Sequence, residues 1–592
     1  MATEVAAAPP PAPPAVATGH PTGFWFFFWG EFAERCSYYG MRAILALYMT
    51  ERLGVSDGNA GTFMALFIAA CYFFPLVGGW LADNYFGKYW TIVGFAVPYV
   101  VAQFLVGVEN RYVVFGALAL LAMGSGVIKP NISTLMGLTY DQQRPGQEQL
   151  RTSAFSWFYM SINIGAALSQ FAMPWLRTTY GYQVAFLFPA GLMALALVIF
   201  AAGKRFYARE VIERKVVGDP GEGRPAEGRT VTGLPVRYTY VTPEEKAADR
   251  ALKLQTLGRI GAVFLTVMFF WAIFDQAAST WIFFARTYMD CTLFGVPTPP
   301  DAIQAFNPVF IVLLVPVSVA VFKVVKVRAT TKMAVGFVLT GLSMVIMSAA
   351  GFLAGDAQKA VRLTTPQGQV VFPAAAAPLD RVSAGDIDLG GVRVAADDGR
   401  YNPDNNKFEF KSGRVVLADG TVVPVAAGHL PAGGLPSPTA LTAGGALEPL
   451  LKDADALAKV RPDPEKDKAT LEVIDWVPPA ERVTVWWQVL AYLILTVAEI
   501  LISVTGLELA FVAAPPSMKS FVTACWLAVV FLANLLINAP ITQLYPLMSP
   551  GVYFAMLAGA MAAVVVVFRP IAARFNRGMA ETRIKEEDTE VV

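Results

Sequence analysis

The side chains best suited to do chemistry in this sequence stand inside its apolar stretches. Glu31, Glu34, Arg35, Tyr38 and Arg42 occur together in GEFAERCSYYGMR, at i, i+3, i+4, i+7 and i+11. On a helix these positions share one face. Two carboxylates beside two guanidiniums can hold a proton, pass it on, or bind an organic acid. Lys129 stands in GSGVIKPNIS, where Gly124, Gly126 and Pro130 weaken regular helix and let a bent segment present one ammonium. Trp271 and Asp275 are i and i+4 in FFWAIFDQAASTW, with Gln276 alongside. Glu499 stands in LTVAEILISVTGLE, with Ser503 one turn later. Asp275 and Glu499 have no basic residue near them in sequence, so each calls for a partner from another helix or for a proton. Such carboxyl groups are candidates to take up and release protons. The plainer readings are an ion-pair network that only ties helices together, a lysine reaching the membrane interface, and structural hydrogen bonds for the two acids.

The elements that must carry these residues are membrane helices. The chain has 592 residues, 55% hydrophobic and only 15% charged, with 41 Phe and 12 Trp. A soluble domain carries about a quarter charged residues. A charged side chain at the bilayer centre costs about 3 kcal/mol on insertion scales, so it faces a cavity or a partner and marks a substrate or ion route. The stripe on Glu31 to Arg42 therefore cannot face lipid. A net charge of +1 gives no reason to expect nucleic acid as a partner. Cys36, Cys71, Cys291 and Cys525 show no metal-ligand spacing. His20 and His429 both lie outside the hydrophobic segments, which argues against a histidine triad or a histidine proton relay in the membrane. Neither a metal nor an organic cofactor is expected, and no nucleophile–base grouping suggests an enzyme.

Twelve segments reach the roughly 20 apolar residues that a crossing helix needs: 23–50, 60–81, 89–108, 112–137, 152–176, 183–203, 258–284, 303–324, 333–354, 484–508, 519–541 and 551–573. They divide into an N-terminal bundle of six (23–205), a polar linker (206–257), and a C-terminal bundle of six carried on 258–354 and 484–574. Two such halves fit an all-α polytopic membrane protein of the major facilitator type. Residues 1–22 are Ala/Pro-rich, lack a signal-peptide pattern and read as a disordered leader. Basic residues cluster after the sixth span (Lys204, Arg205), after the eighth (Lys323, Lys326, Arg328, Lys332) and in the tail (Arg569, Arg574, Arg577, Arg583). The positive-inside rule then places both termini, the linker and the tail 575–592 in the cytoplasm. Residues 355–483 fall outside and read as a small β-rich insert, with short alternating runs between Gly, Asp and Asn turns and a flexible stretch at 425–447.

The first span resembles the E-x-x-E-R-F-x-Y-Y-G signature of the proton-dependent oligopeptide transporter (POT/PTR2) family, here Glu31, Glu34, Arg35, Cys36, Tyr38, Tyr39 and Gly40. Cys36 stands where the family has Phe. GGWLADNYFGK (78–88), FYMSINIGAAL (158–168), AFNPVFIVLL and FVTACWLAVVFLAN resemble further family segments. Ser503-Val504 replaces the family's Ser-Pro, so the tenth span is expected to bend less.

The resemblance implies proton-coupled symport of di- and tripeptides by a protein working as a monomer in the plasma membrane, powered by the proton gradient alone. It implies a basic side of the site made by Arg35, Arg42 and Lys129. It implies an amino-terminus side made by Glu499, Asn163 and Asn307, with Ser503 nearby. Tyr38, Tyr39, Tyr72, Trp271 and Trp526 would shape side-chain pockets. Glu31, Glu34, Asp275 and Glu499 would handle protons, with Arg35 coupling them to the substrate carboxylate. Lys129 and Glu499 would attract across the cavity as a gate, and Asp83 would act as a conformational latch. The same scaffold could instead carry nitrate, a glycoside or a drug-like anion, and a membrane sensor working through its external insert is the more distant reading.

Overall fold

The computed structural model describes residues 19–210, 243–365, 469–506, 509 and 519–590, together with the short strands 368–373, 386–388, 393–395, 400–402, 407–410, 413–416 and 422–425. The leader 1–18, linker residues 211–242, the stretch 426–447 and His429 lie outside the described residues.

Apolar composition makes the chain helical. The N-terminal half holds α1 (Thr22–Glu51), α2 (Asp57–Leu81), α3 (Gly87–Val106), α4 (Arg111–Gln143) and α5 (Glu148–Ala202). The C-terminal half holds α6 (Pro243–Phe274), α7 (Thr280–Tyr288), α8 (Phe306–Val324), α9 (Ala329–Leu353), α10 (Trp486–Glu499), α11 (Lys519–Ala533), α12 (Ala539–Thr542) and α13 (Pro550–Glu590). Among the described residues nine helical stretches are long and apolar enough to cross a membrane. Two of them, Asp57–Val106 and Glu148–Phe206, run for 50 and 59 residues, enough for two crossings each. α1, 30 residues long, carries the charged stripe and is not among the nine.

Glycine makes the turns inside the two long stretches. Gly181 has φ +85°, breaks α5 and separates the fifth and sixth spans. Gly87 has φ +72° and turns the chain into α3 after a π-helical Ala82–Phe86. Polar caps mark other starts: Ser56 accepts from the Asn59 amide, and Asn110 from the amides of Tyr112 and Val113. The carboxylate of Glu210, at the start of the linker, accepts from the amides of Lys88 (2.7 Å) and Tyr89 (2.9 Å) and closes the first turn of α3.

Three segments differ from a simple reading of hydropathy. The span expected at 258–284 is broken: a 3-10 turn, Asp275–Ala278, separates α6 from α7. The tenth span, expected to be straighter for lack of proline, changes to a π-helix at Ile500–Val504 directly after Glu499. The span expected at 519–541 has a π-helix at Asn534–Asn538 between α11 and α12. All three irregularities begin at or directly after a buried or half-buried polar side chain, Asp275, Glu499 or Asn534, that has a partner on another element. The last helix also continues past 573 to Glu590, through much of the expected tail.

The two halves are tied together at the end where α1 finishes and α2 begins. Arg286 of α7 donates to Asp57 (2.8 Å and 3.0 Å) and to Thr50 (3.0 Å). Arg177 of α5 makes a bidentate contact with Asp301 (2.9 Å and 3.0 Å). Gln543 donates to Asn59 and Thr62, and Thr62 donates to the Ala539 carbonyl. Gln304 donates to the Ala43 carbonyl.

Above that end sit the strands of the insert. β4 (Gln358–Thr365), β5 (Gly368–Pro373), β8 (Arg400–Asn402), β9 (Lys407–Phe410) and β12 (Ala469–Trp476) form one sheet in the order β5-β4-β12-β9-β8. β6 (Asp386–Asp388), β7 (Arg393–Ala395), β10 (Gly413–Val416) and β11 (Val422–Val425) form a second, in the order β11-β10-β7-β6. A small hairpin, β2 (Thr292–Leu293) with β3 (Val296–Pro297), follows α7. The insert is stitched to the C-terminal half: β1 (Met289–Asp290) pairs in parallel with β13 (Val483–Thr484), and the Gly355 amide donates to the Glu481 carbonyl at 2.9 Å.

Close helix approach generates a test. A Cβ on Gly78 would lie 2.6 Å from the Val127 Cα and 2.8 Å from its carbonyl oxygen, both backbone atoms, whereas one on Gly79 meets nothing within 4 Å. Gly78→Ala should separate α2 from α4 and cost about 1–3 kcal/mol, while Gly79→Ala should be close to neutral. Thermal unfolding of the two variants in detergent checks this, and equal melting temperatures would refute the close approach.

Candidate functional site

The charged face of α1 is enclosed. Glu31, Glu34 and Arg35 are 3%, 0% and 2% exposed. The Arg35 Nε lies 2.9 Å from Glu31 and 2.5 Å from Glu34. Tyr99 of α3 and Ser125 of α4 donate to the far oxygen of Glu34, at 3.2 Å and 3.5 Å. One oxygen of Glu31 and the Nη2 of Arg35 are buried with no hydrogen-bond partner among the described residues. The Arg35 guanidinium faces the Tyr38 ring at 5.6 Å. The Lys129 ammonium stands over the rings of Tyr38 (4.7 Å) and Tyr72 (5.4 Å), as a cation–π contact allows. It lies in the field of Arg35, Glu34 and Glu31. Two bases and two acids thus form one near-neutral cluster on α1 and α4, with donor capacity in reserve on Arg35.

A second cluster faces it from the other half. Arg42 donates to Asp275 Oδ1 at 3.1 Å, across the two halves. Asp275 Oδ2 accepts from Asn534 at 2.8 Å. Glu499 accepts from Asn307 at 2.9 Å, and Asn307 also donates to Thr496 at 3.0 Å. Glu499 lies in the field of Asp275 and Arg42. Tyr39 is within electrostatic reach of Arg35, Glu34, Arg42 and Glu499, and so stands between the clusters.

The structure therefore joins Glu31, Glu34, Arg35, Tyr38, Tyr72 and Lys129 on one side, and Arg42, Asp275, Asn307 and Glu499 on the other. Several expected roles change. Arg42 is not a free base beside Arg35 and Lys129; it is the partner that Asp275 lacked in sequence. Lys129 and Glu499 are not paired in this structure, since each is held by its own cluster. The Ser503 hydroxyl donates to the Glu499 carbonyl of its own helix at 2.7 Å, so its donor is already used. The Asn163 amide donates to the Tyr159 carbonyl at 3.0 Å and not to Glu499. Trp526, 6% exposed, covers Gly506 and meets the Phe264 ring edge-on at 5.6 Å, which makes it a helix-seam residue. Trp271 is half-buried against Phe270 and Phe274, with an indole N–H that has no partner among the described residues. Asp83 pairs with Lys88 at 2.5 Å on the solvent side of the α2–α3 junction. Cys36, where the family has Phe, packs on Gly165 and contacts its carbonyl at 3.3 Å.

Asn534 and Asn538 escaped the reading of the sequence. Their signal was present: two amides at i and i+4 in the apolar run FLANLLINAP.

Fold and site together define a polytopic helical membrane protein with opposed acid–base clusters between two bundles. The sequence model of the POT family (PTR2) matches residues 89–220, 236–386 and 465–551. The chain belongs to the POT family. It is 32% identical over 368 residues to human solute carrier family 15 member 1, an alignment covering 55% of this chain and 51% of that protein. The chain thus spans about half the length of the mammalian relatives it matches. It is 27% identical to peptide transporter family 1 of Drosophila melanogaster, covering 88% of this chain and 83% of that protein. The fold matches the crystal structure of the POT family transporter PepTSo with a TM-score of 0.61 at 22% identity, over 95% of this chain and 99% of that one. It matches a POT family transporter in complex with 5-aminolevulinic acid with a TM-score of 0.61 at 18% identity, over 94% and 97%.

The Arg42–Asp275 pair yields a stability prediction. Arg42→Met strands a buried carboxylate and should cost about 3–5 kcal/mol, whereas the double variant with Asp275→Asn should recover most of it. Thermal unfolding of both in detergent decides, and a double variant as unstable as the single one would contradict a direct pair.

Proposed function

We propose that this chain is a secondary active transporter that takes up di- and tripeptides together with protons by alternating access. The observation that carries the reading is the placement of two bases, Arg35 and Lys129, opposite a carboxyl group, Glu499 with its partner Asn307, in two halves tied together at one end. A peptide zwitterion has a carboxylate and an ammonium at a spacing set by its backbone, and such a site reads those two ends whatever the side chains between them. The POT family structure with 5-aminolevulinic acid supports this, because that molecule also carries a carboxylate and an amine at its ends.

The proton enters the same chemistry. Arg35 is occupied by Glu31 and Glu34. Protonating one glutamate releases the guanidinium for the substrate carboxylate, so the proton and the peptide bind together. Asp275 and Glu499 are the further proton-handling groups. The proton gradient is the energy source, with no metal or organic cofactor.

The ties Arg286–Asp57 and Arg177–Asp301 close the outer end, so this conformation faces the cytoplasm. Rocking about the site opens those ties and brings Lys129 toward Glu499, closing the inner gate. Asp83 with Lys88 latches the α2–α3 junction during that motion. The transporter works as a monomer in the plasma membrane, with both termini cytoplasmic and residues 355–483 outside.

Uptake of a labelled dipeptide into proteoliposomes tests the reading. An inward proton gradient should drive accumulation, and unlabelled dialanine should compete, as it would not for nitrate or a drug-like anion. Glu31→Gln or Glu34→Gln should abolish driven accumulation and spare exchange. If both variants still concentrate peptide, the coupling scheme fails. Removing 358–476 should leave uptake within about twofold of the intact protein, whereas a sensor working through the insert would lose its response.

A further inference from the structure

Behind Asp275 runs a chain of buried amides whose direction is set by one backbone carbonyl. Asn534 Nδ2 donates both to Asp275 Oδ2 (2.8 Å) and to the Val530 carbonyl (3.0 Å). The Val530 carbonyl is an acceptor only, so the nitrogen must lie on that side. Asn534 Oδ1 then faces Asn538, which donates at 2.7 Å. Asn538 Oδ1 in turn faces Gln276 Nε2, which donates at 2.6 Å. That leaves Gln276 Oε1 to accept from the hydroxyls of Thr280 (2.7 Å) and Tyr553 (2.8 Å). Asn534, Asn538, Gln276 and Thr280 are each 1% exposed or less.

Every hydrogen in the chain points toward Asp275, which receives Asn534 on one oxygen and Arg42 on the other. A carboxylate accepts both. A carboxylic acid protonated on the inner oxygen sets its own hydrogen against that of Asn534, and Asn534 cannot turn without abandoning Val530. The groups facing Asp275 are Arg42 from α1, Tyr72 from α2, Glu499 from α10 and Asn534.

The far end of the chain comes near the outer gate. The Tyr553 ring meets that of Tyr545 edge-on at 5.2 Å. Tyr545 lies in the field of Asp57 and Arg286, the ion pair that joins the halves there. The irregular helix at both ends of the relay has the same origin: Gln276 sits in the 3-10 turn that breaks the seventh span, and Asn534 and Asn538 begin and end a π-helix.

We propose that Asn534, Asn538, Gln276 and Tyr553 form a directional relay that positions Asp275 against Arg42 and couples that inter-half tie to the outer gate. These are positioning residues, and their role in coupling rests on the symport reading above. Loss of the relay loosens the Arg42–Asp275 tie and opens the outer end at neutral pH, as protonation of Asp275 does in the intact chain.

The test reads the gate without substrate. Spin labels replace Tyr112 and Leu547, exposed outer-end residues of the two halves, in a full-length chain whose Cys36, Cys71, Cys291 and Cys525 are alanine, in lipid vesicles. Distance distributions are recorded at neutral and acidic pH. The otherwise intact chain should gain a longer-distance population on acidification. Asn538→Leu should raise that population at least threefold at neutral pH and flatten its response to acid. Tyr553→Phe, which removes one hydroxyl at the remote end and keeps the ring, should shift it in the same direction by less. The double variant Asn538→Leu with Asp275→Asn should match Asp275→Asn alone. An intact chain without an acid response overturns the proposal, as do variants that keep its distribution at both pH values. A relay that behaves as stated in a protein without proton-driven dipeptide uptake would leave the proposal standing and sink the symport reading.

Discussion

A charge buried in hydrocarbon must find its complement, and in this chain that constraint is met largely between helices. Within α1, the charge of Arg35 is matched by its neighbours Glu31 and Glu34. Arg42, two turns on, is not, and reaches Asp275 in the other half. Removing one partner from such a pair costs several kcal/mol, because the other stays buried and uncompensated. The Arg42–Asp275 tie thus joins the two halves within the second charge cluster, and the arrangement of both halves around the site depends on it.

The departures from regular helix follow from the same constraint. A regular span satisfies its backbone internally and leaves its side chains wherever the helical period puts them. Asp275, Glu499 and Asn534 must each meet a partner on another helix, and beside each the backbone leaves the α-helical path. Glu499 is instructive. Valine at position 504 in place of proline predicts a straighter helix, yet a π-helix follows Glu499 all the same. Proline is therefore not the cause of irregularity at this point, and the polar contacts of Glu499 with Asn307 coincide with it.

The insert is attached to the helices by a few backbone contacts away from the site. Its base is a two-residue parallel pairing between the end of the seventh span and the start of the tenth, with a further hydrogen bond at Gly355 and Glu481. Those contacts all lie in the C-terminal half, and Arg362 of β4 also lies in the field of Glu51 at the end of α1. The ties between the halves, Arg286–Asp57 and Arg177–Asp301, are made by membrane-helix residues and their flanking turns.

The sequence by itself determined the class of protein, the crossing helices and the shared face of Glu31, Glu34 and Arg35, because hydropathy and the helical period are local properties. It also showed that Asp275 and Glu499 needed something from elsewhere. Which partner each would find is a matter of helix packing, and residues 233 apart, such as Arg42 and Asp275, leave no local trace of their contact. The tertiary structure decided that Arg42 serves Asp275 and that Lys129 belongs with Tyr38, Tyr72 and the α1 acids. It decided too that Ser503 and Asn163 spend their donors on their own helices. A hydrogen bond has direction as well as distance, and the direction of the Asn534–Asn538–Gln276 chain follows from one carbonyl, that of Val530, whose position only the fold supplies.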